Sequence, residues 1–103
     1  MKTTELRLVT ILAEPELATR LVDEIRALGA RGYSLVEGRA EWQRGRGDHG
    51  PSDWNGPNVR IDTVVRSEVS DAILEHLAST YFEHYAVFAY VSTVFVARPD
   101  RYR

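Results

Sequence analysis

Near its C-terminal end the chain carries the run Ala86 to Ala97, AVFAYVSTVFVA, which holds no charge and is rich in β-branched and aromatic side chains. A membrane-spanning helix takes about 20 apolar residues, so the run is too short for one. Its composition reads as a β-strand buried on both faces. Such a strand has to be covered on one side by its own fold and on the other by something more.

The remaining periodicities say what the first cover is. Glu5 to Leu12, ELRLVTIL, alternates, with Leu6, Leu8, Thr10 and Leu12 on one face and Val9 and Ile11 on the other. Glu14-Pro15 opens a helix, since proline suits a first helical position. Leu17, Leu21, Ile25 and Leu28 make its apolar stripe, and Gly29 closes it as a C-cap glycine. Tyr33-Ser34-Leu35-Val36 begins a second strand. Asn58 opens a third, with Val59, Ile61, Thr63 and Val65 on one face and Arg60, Asp62 and Val64 on the other. Ser67 is positioned to cap a second helix running to about Phe82, with the stripe Val69, Ile73, Leu77 and Tyr81.

The order β-α-β-β-α-β is that of an α+β, ferredoxin-like fold with a four-stranded antiparallel sheet. At 103 residues the chain has room for a single domain, 1–103. Both helices cover one face of such a sheet. The other face would show water Phe88, Tyr90, Val94 and Val96 or their alternates, a patch of the kind that marks an interface, so a closed homo-oligomer is expected.

Between Gly38 and Pro57 the composition shifts. Five of the seven glycines lie there, with both tryptophans and with Arg39, Arg44, Arg46 and His49. A connection this long reads as a functional loop, expected to be mobile when empty and ordered by phosphate. Arg44 and Arg46, either side of Gly45, can offer guanidinium forks to a phosphate, with glycine N–H groups close by. A solvated loop kept soluble by its arginines is the plainer reading. Arg60 and Asp62, two apart on one strand face, read on their own as members of a cross-strand ion pair on an exposed face.

Several functional classes drop away. A net charge of -2 does not suit a general nucleic-acid coat. The third strand lacks the aromatic residues that an RNA-recognition sheet stacks on bases. With no cysteine there is no disulfide framework, thiolate zinc site or cysteine nucleophile. His49, His76 and His84 lack metal-ligand spacing, so no metal site is expected, and no serine nucleophile motif occurs. His76, beside the second helix's apolar stripe, would be the group of a small enzyme, but reads as a half-buried packing residue. Tyr81, Phe82 and Tyr85 read as packing at that helix's end. No apolar leader precedes the first strand, so the expected location is cytoplasmic.

Gly29-Ala-Arg-Gly-Tyr-Ser-Leu, the long loop, Asn58-Val-Arg-Ile-Asp and Tyr81-Phe-Glu-His-Tyr-Ala together resemble the PII signalling superfamily. The likeness is to its small PII-like branch, associated with carboxysomes and bicarbonate transporters, and covers nearly the whole chain. The resemblance implies a non-enzymatic homotrimer that binds adenine nucleotides between subunits. It also implies that the loop 38–57 is a T-loop, which recognises a partner related to a transporter or carboxysome. By the same resemblance Ser34 lies near the adenine and Asp62 near the ribose. Arg60 to Val64, Val64 included, line the cleft, and Ala86, Val87 and Phe88 form the B-loop segment. Arg44, Arg46 and Arg98 reach the phosphates.

Ala86-Val87 stands where the nitrogen sensors of that superfamily carry a glycine-lysine element, and residues 38–57 contain no tyrosine. With the paired C-terminal cysteines of many transporter-associated members absent too, these departures point to the carboxysome-associated kind. That kind implies ADP or AMP as ligand and bicarbonate beside the phosphate, held by Arg46 and Arg60. A divalent-metal-responsive trimer of the cation-tolerance type, on the same core, is the competing reading, followed by a small ferredoxin-like enzyme.

Overall fold

The computed structural model describes residues 1–41, 56–98 and 100. Strand β1 (Thr4–Ala13) leads through a 3-10 turn at Pro15–Leu17 into helix α1 (Ala18–Ala27). Strands β2 (Ser34–Ala40) and β3 (Gly56–Val65), helix α2 (Ser67–Thr80) and strand β4 (Val87–Val96) follow. All neighbouring strands are antiparallel, in the order β2-β3-β1-β4. This is the expected ferredoxin-like βαββαβ arrangement.

The alternation read from the sequence decides which side chains meet the helices. Val9, Ile11 and Ala13 of β1 and Val59, Ile61 and Val65 of β3 are buried against Leu21 and Ile25 of α1 and Ile73 and Leu77 of α2. Full burial of one such side chain contributes about 1.5–3 kcal/mol, so these two strands and two stripes hold most of the fold's apolar stabilisation. Thr63 shares that face and satisfies its hydroxyl by donating to the Gly32 carbonyl at 2.6 Å.

The end of α1 is a Schellman closure. Ala30 N–H donates to the Ile25 carbonyl at 3.0 Å and Gly29 N–H to the Arg26 carbonyl at 3.1 Å. Gly29 has φ +121°, and a Cβ there would stand 3.1 Å from Val69 Cγ2. The glycine thus both reverses the chain and lets α1 approach α2.

Three local expectations differ from the structure. Arg66, with extended φ and ψ, is the N-cap of α2; Ser67 is the first helical residue, and no side chain caps the end. α2 stops at Thr80, and Phe82 is exposed instead of packed, because the chain turns after the buried Tyr81. β4 is an edge strand. Phe88 and Tyr90, on the face away from the helices, are 45% and 46% exposed, and Phe95, on the helix side toward the strand's end, is 67% exposed, so among the described residues the run is not buried on both faces.

The helices are also braced by a polar cluster. Glu24 of α1 accepts from the Tyr81 hydroxyl at 2.5 Å and from His76 Nε2 at 2.9 Å, both on Oε1, while Arg20 Nε donates to Oε2 at 3.3 Å. An ionised carboxylate only accepts, so Nε2 of His76 carries its proton. Burial pushes the Glu24 pKa up, but the hydrogen bonds from Tyr81, His76 and Arg20 together outweigh it and hold the carboxyl below its ordinary value. Burial, and then the neighbouring Glu24 carboxylate, push the Tyr81 phenol well above its ordinary value. Among the described residues no helix is long and apolar enough to cross a membrane.

Two measurements check this account of the fold. Gly29→Ala should cost on the order of 1–2 kcal/mol in urea denaturation. Gly32→Ala, where a Cβ meets nothing within 4 Å, should be near neutral. Since the Glu24 pKa is depressed in the folded state, its stabilisation is present above the unfolded value of 4.5 and is lost as pH falls through the folded value. Urea midpoints taken on acidification should therefore fall less steeply in Glu24→Gln than in the parent, and an unchanged slope would contradict the brace.

Candidate functional site

The sheet face away from the helices carries five of the ten site residues singled out in the sequence: Ser34, Arg60, Asp62, Val64 and Phe88. The register sets them in two rungs. Ser34 of β2 lies across from Asp62 of β3, which lies across from Thr10 of β1, itself opposite Tyr90 of β4. In the next rung Val36, Arg60, Leu12 and Phe88 are neighbours in the same order. Val64 sits on the same face, opposite Leu8.

Thr10 and Asp62 are the fixed centre of this array. Thr10, 4% exposed, donates its hydroxyl to Asp62 Oδ1 at 2.7 Å. The other carboxylate oxygen, Oδ2, receives Arg60 Nε at 3.2 Å. The pairing runs along one strand instead of between strands. An ion pair whose arginine is half exposed contributes at most about 1 kcal/mol to stability, so its larger consequence is positional. It ties Nε of the guanidinium and leaves the terminal amino groups outside that pairing.

Beside Arg60 the sheet opens into a concavity. β1 ends at Ala13, opposite Val59, whereas β2 and β3 pair on through Gly38–Asn58, Arg39–Pro57 and Ala40–Gly56. Strand pairing therefore takes up both ends of the interval 38–57. The overhanging ribbon bounds a space of about 380 Å³, lined chiefly by Leu12, Val36, Gly38, Ala40, Asn58 and Arg60. Its walls combine the apolar Leu12, Val36 and Ala40 with the buried Asn58 carboxamide and the charged Arg39, Glu41 and Arg60, a mixture that suits a small polar ligand.

Not every expected residue joins this face. Ala86 is buried and Val87 packs against the helix-side core, so from the segment 86–88 only Phe88 turns its side chain to the open face. Its ring stands 6.2 Å from that of Tyr90, tilted by 46°. Arg98 lies past the far end of β4, where Val96 pairs with Thr4, whereas Phe88 pairs with Leu12. Eight residues of strand separate those ends by about 26 Å, so one chain does not bring Arg98 to Arg60. Arg44 and Arg46 lie outside the described residues, as does His49. His76 is held by Glu24 in the brace between the helices and does not line a pocket between helices and sheet. Among the described residues no group of three His, Cys, Asp or Glu side chains is placed to hold a metal ion.

Thr10, Leu12, Gly38 and Asn58 were not marked as site residues in the sequence. Thr10 left one signal, a hydroxyl interrupting an aliphatic strand. Asn58 appeared as the residue where regular structure resumes and as the first of the Asn58-Val-Arg-Ile-Asp segment, with no role of its own.

The comparisons with known proteins agree with this geometry. The family profile of nitrogen regulatory protein P-II matches residues 6–101. A structure described as a PII-like signalling protein, from Thermus thermophilus, is 46% identical over the whole of both chains, with a TM-score of 0.82. CPII from Thiomonas intermedia K12, solved with ADP and bicarbonate, is 22% identical over 99% of this chain and 98% of its own, with a TM-score of 0.81. CutA from Synechococcus elongatus PCC7942, also 22% identical, covers 100% of this chain and 91% of its own at a TM-score of 0.72. The last two show the shared fold. Comparison with curated protein sequences finds no match. The extent of the profile match and the identity to the Thermus protein show that the chain belongs to the P-II family, whose members are signalling proteins and not enzymes.

Proposed function

We propose that this protein is a PII-like regulator that binds ADP or AMP in clefts between the subunits of a homotrimer and senses inorganic carbon as bicarbonate. The observation that carries the reading is the Thr10–Asp62–Arg60 array beside the 380 Å³ concavity on the open sheet face. It offers an acid for a ribose hydroxyl and a positioned guanidinium for an oxyanion, on a surface that a second subunit would close. The chemistry suits a nucleotide: Ser34 and Asp62 toward the nucleoside, Val64 and Phe88 as apolar wall, Arg60 toward charge. Contacts from Ala86 and Val87 would be made by backbone. Because Arg98 stands at the far end of β4, it would serve the cleft of a neighbouring subunit. Arg44 and Arg46 of the T-loop, 38–57, would reach the phosphates, with Arg46 joining Arg60 at bicarbonate.

CPII gives this reading its nearest parallel in ligands, having been solved with ADP and bicarbonate and with ADP, AMP and acetate. In this scheme the T-loop hands ligand state to a partner protein of a carboxysome or a bicarbonate-uptake system. The apolar Phe88 and Tyr90, each nearly half exposed, support assembly through the same face. The metal-responsive alternative draws on the CutA likeness alone, which is one of fold.

Titration calorimetry should show saturable ADP binding near one per subunit. Arg60→Ala should weaken it by about 10-fold or more, since a hydrogen bond to a charged group is worth about 1.5–3 kcal/mol. Equal affinity in the two proteins would contradict the role given to Arg60. The parent should sediment as three chains and Tyr90→Glu as smaller species, whereas an unchanged assembly would place the interface elsewhere.

A further inference from the structure

Asn58 differs from the other residues of the concavity. It is 7% exposed, yet it lines the space beside Arg60. Among the described residues its carboxamide has no hydrogen-bond partner, although buried polar groups are rarely left so. Room for it is made by the residue directly across the ladder. Gly38 pairs with Asn58, and a Cβ at position 38 would stand 3.2 Å from Asn58 Oδ1. A buried donor and acceptor, both unused and both at the wall of a pocket, point to a bound group that supplies an acceptor and a donor.

We infer that Asn58 reads the proton of bicarbonate: its amino group donates to one oxygen of the ion, and its carbonyl accepts the ion's O–H. The inference rests on the nucleotide and bicarbonate reading given above and names the residue that separates bicarbonate from other anions. Arg60 follows Asn58 by two positions on the same strand face, so their backbones are about 6.7 Å apart. That spacing admits a small planar ion with a hydrogen bond on either side. Arg60 has its Nε engaged by Asp62 and turns its terminal amino groups to the charged edge. Bicarbonate carries one negative charge, which the guanidinium takes, and one O–H, which a guanidinium cannot accept because it has no lone pair to offer. The carboxamide supplies that acceptor. Nitrate has the same planar shape and charge without the proton, so it leaves the carbonyl unmatched. A carboxamide therefore discriminates where an arginine alone would not. Arg39 and Glu41 line the same space: a second guanidinium adds donors and charge, and a carboxylate adds an acceptor and a repelling charge, whereas the carboxamide alone combines donor and acceptor without charge.

The test is calorimetric titration of ADP into the full chain at fixed pH, in buffer alone, with sodium bicarbonate, and with sodium nitrate at equal ionic strength. In the parent, bicarbonate should raise ADP affinity by about fivefold or more, the usual scale of coupling between two ligands, and nitrate by less than about twofold. Asn58→Leu keeps the volume and removes both hydrogen-bonding atoms, and should bring the bicarbonate-to-nitrate ratio close to one. Using the ratio removes any change in ADP affinity itself. Gly38→Ala, which crowds the carboxamide oxygen, should lower the same ratio and serves if the leucine variant fails to fold. A parent-like ratio in either folded variant would overturn the role of Asn58 while leaving nucleotide binding intact. ADP binding in the parent with no difference between bicarbonate and nitrate would overturn the inference alone. No ADP binding in the parent would overturn it together with the reading on which it rests.

Discussion

A four-stranded sheet whose two helices lie on one face has a second face that the helices do not cover, and in this protein that imbalance organises everything else. The strict alternation in β1 and β3 sends Val9, Ile11, Val59, Ile61 and Val65 under the helices. Every intervening residue is thereby sent the other way. Leu12, Val36, Phe88 and Tyr90 are too apolar to be an ordinary solvated surface, while Thr10, Asp62 and Arg60 are too ordered to be an ordinary interface. Under the proposed function the face serves both purposes: it is apolar where a copy of the chain would pack and polar where a ligand would enter.

The site is a consequence of unequal strand lengths. Because β1 stops at Ala13 and the β2–β3 ribbon continues to Ala40 and Gly56, a concavity forms at the corner of the sheet. Its polar groups are held differently. Arg60 is tethered through Asp62 to the buried Thr10, and Asn58 is held by burial against Gly38 without a hydrogen bond of its own among the described residues. The helix-side cluster of Glu24, His76 and Tyr81 has the opposite character. Its hydrogen bonds close on one another, which makes it a brace between α1 and α2 and leaves little capacity for a ligand.

The faces of β1 and β3, both apolar stripes and the Gly29 closure were legible because each follows from local periodicity or from one backbone conformation. Arg60, Asp62 and Val64 could be placed on a common face for the same reason, whereas Ser34 came to the site by resemblance and to that face by the β2–β3 register. What was not legible depends on distance in sequence. Tyr81 and Glu24 are 57 residues apart, and no pattern along the chain announces that α1 and α2 will bring them together. Asn58 looks like an ordinary strand opener until β1 is seen to end short of it. Ser67 and Arg66 differ by one residue as N-cap, a choice made by one pair of backbone angles. Arg98 was grouped with the other basic residues by resemblance, but the direction of β4 carries it to the far end of the sheet.

The most direct test of the open face as the ligand face is an amide NMR spectrum of the isotopically labelled protein with and without ADP. The account predicts perturbations concentrated in residues 34–40, 58–64 and 86–90, with the outward surfaces of α1 and α2 little changed. Perturbations centred on Glu24, His76 and the helix surfaces, with β2 and β3 unmoved, would contradict it.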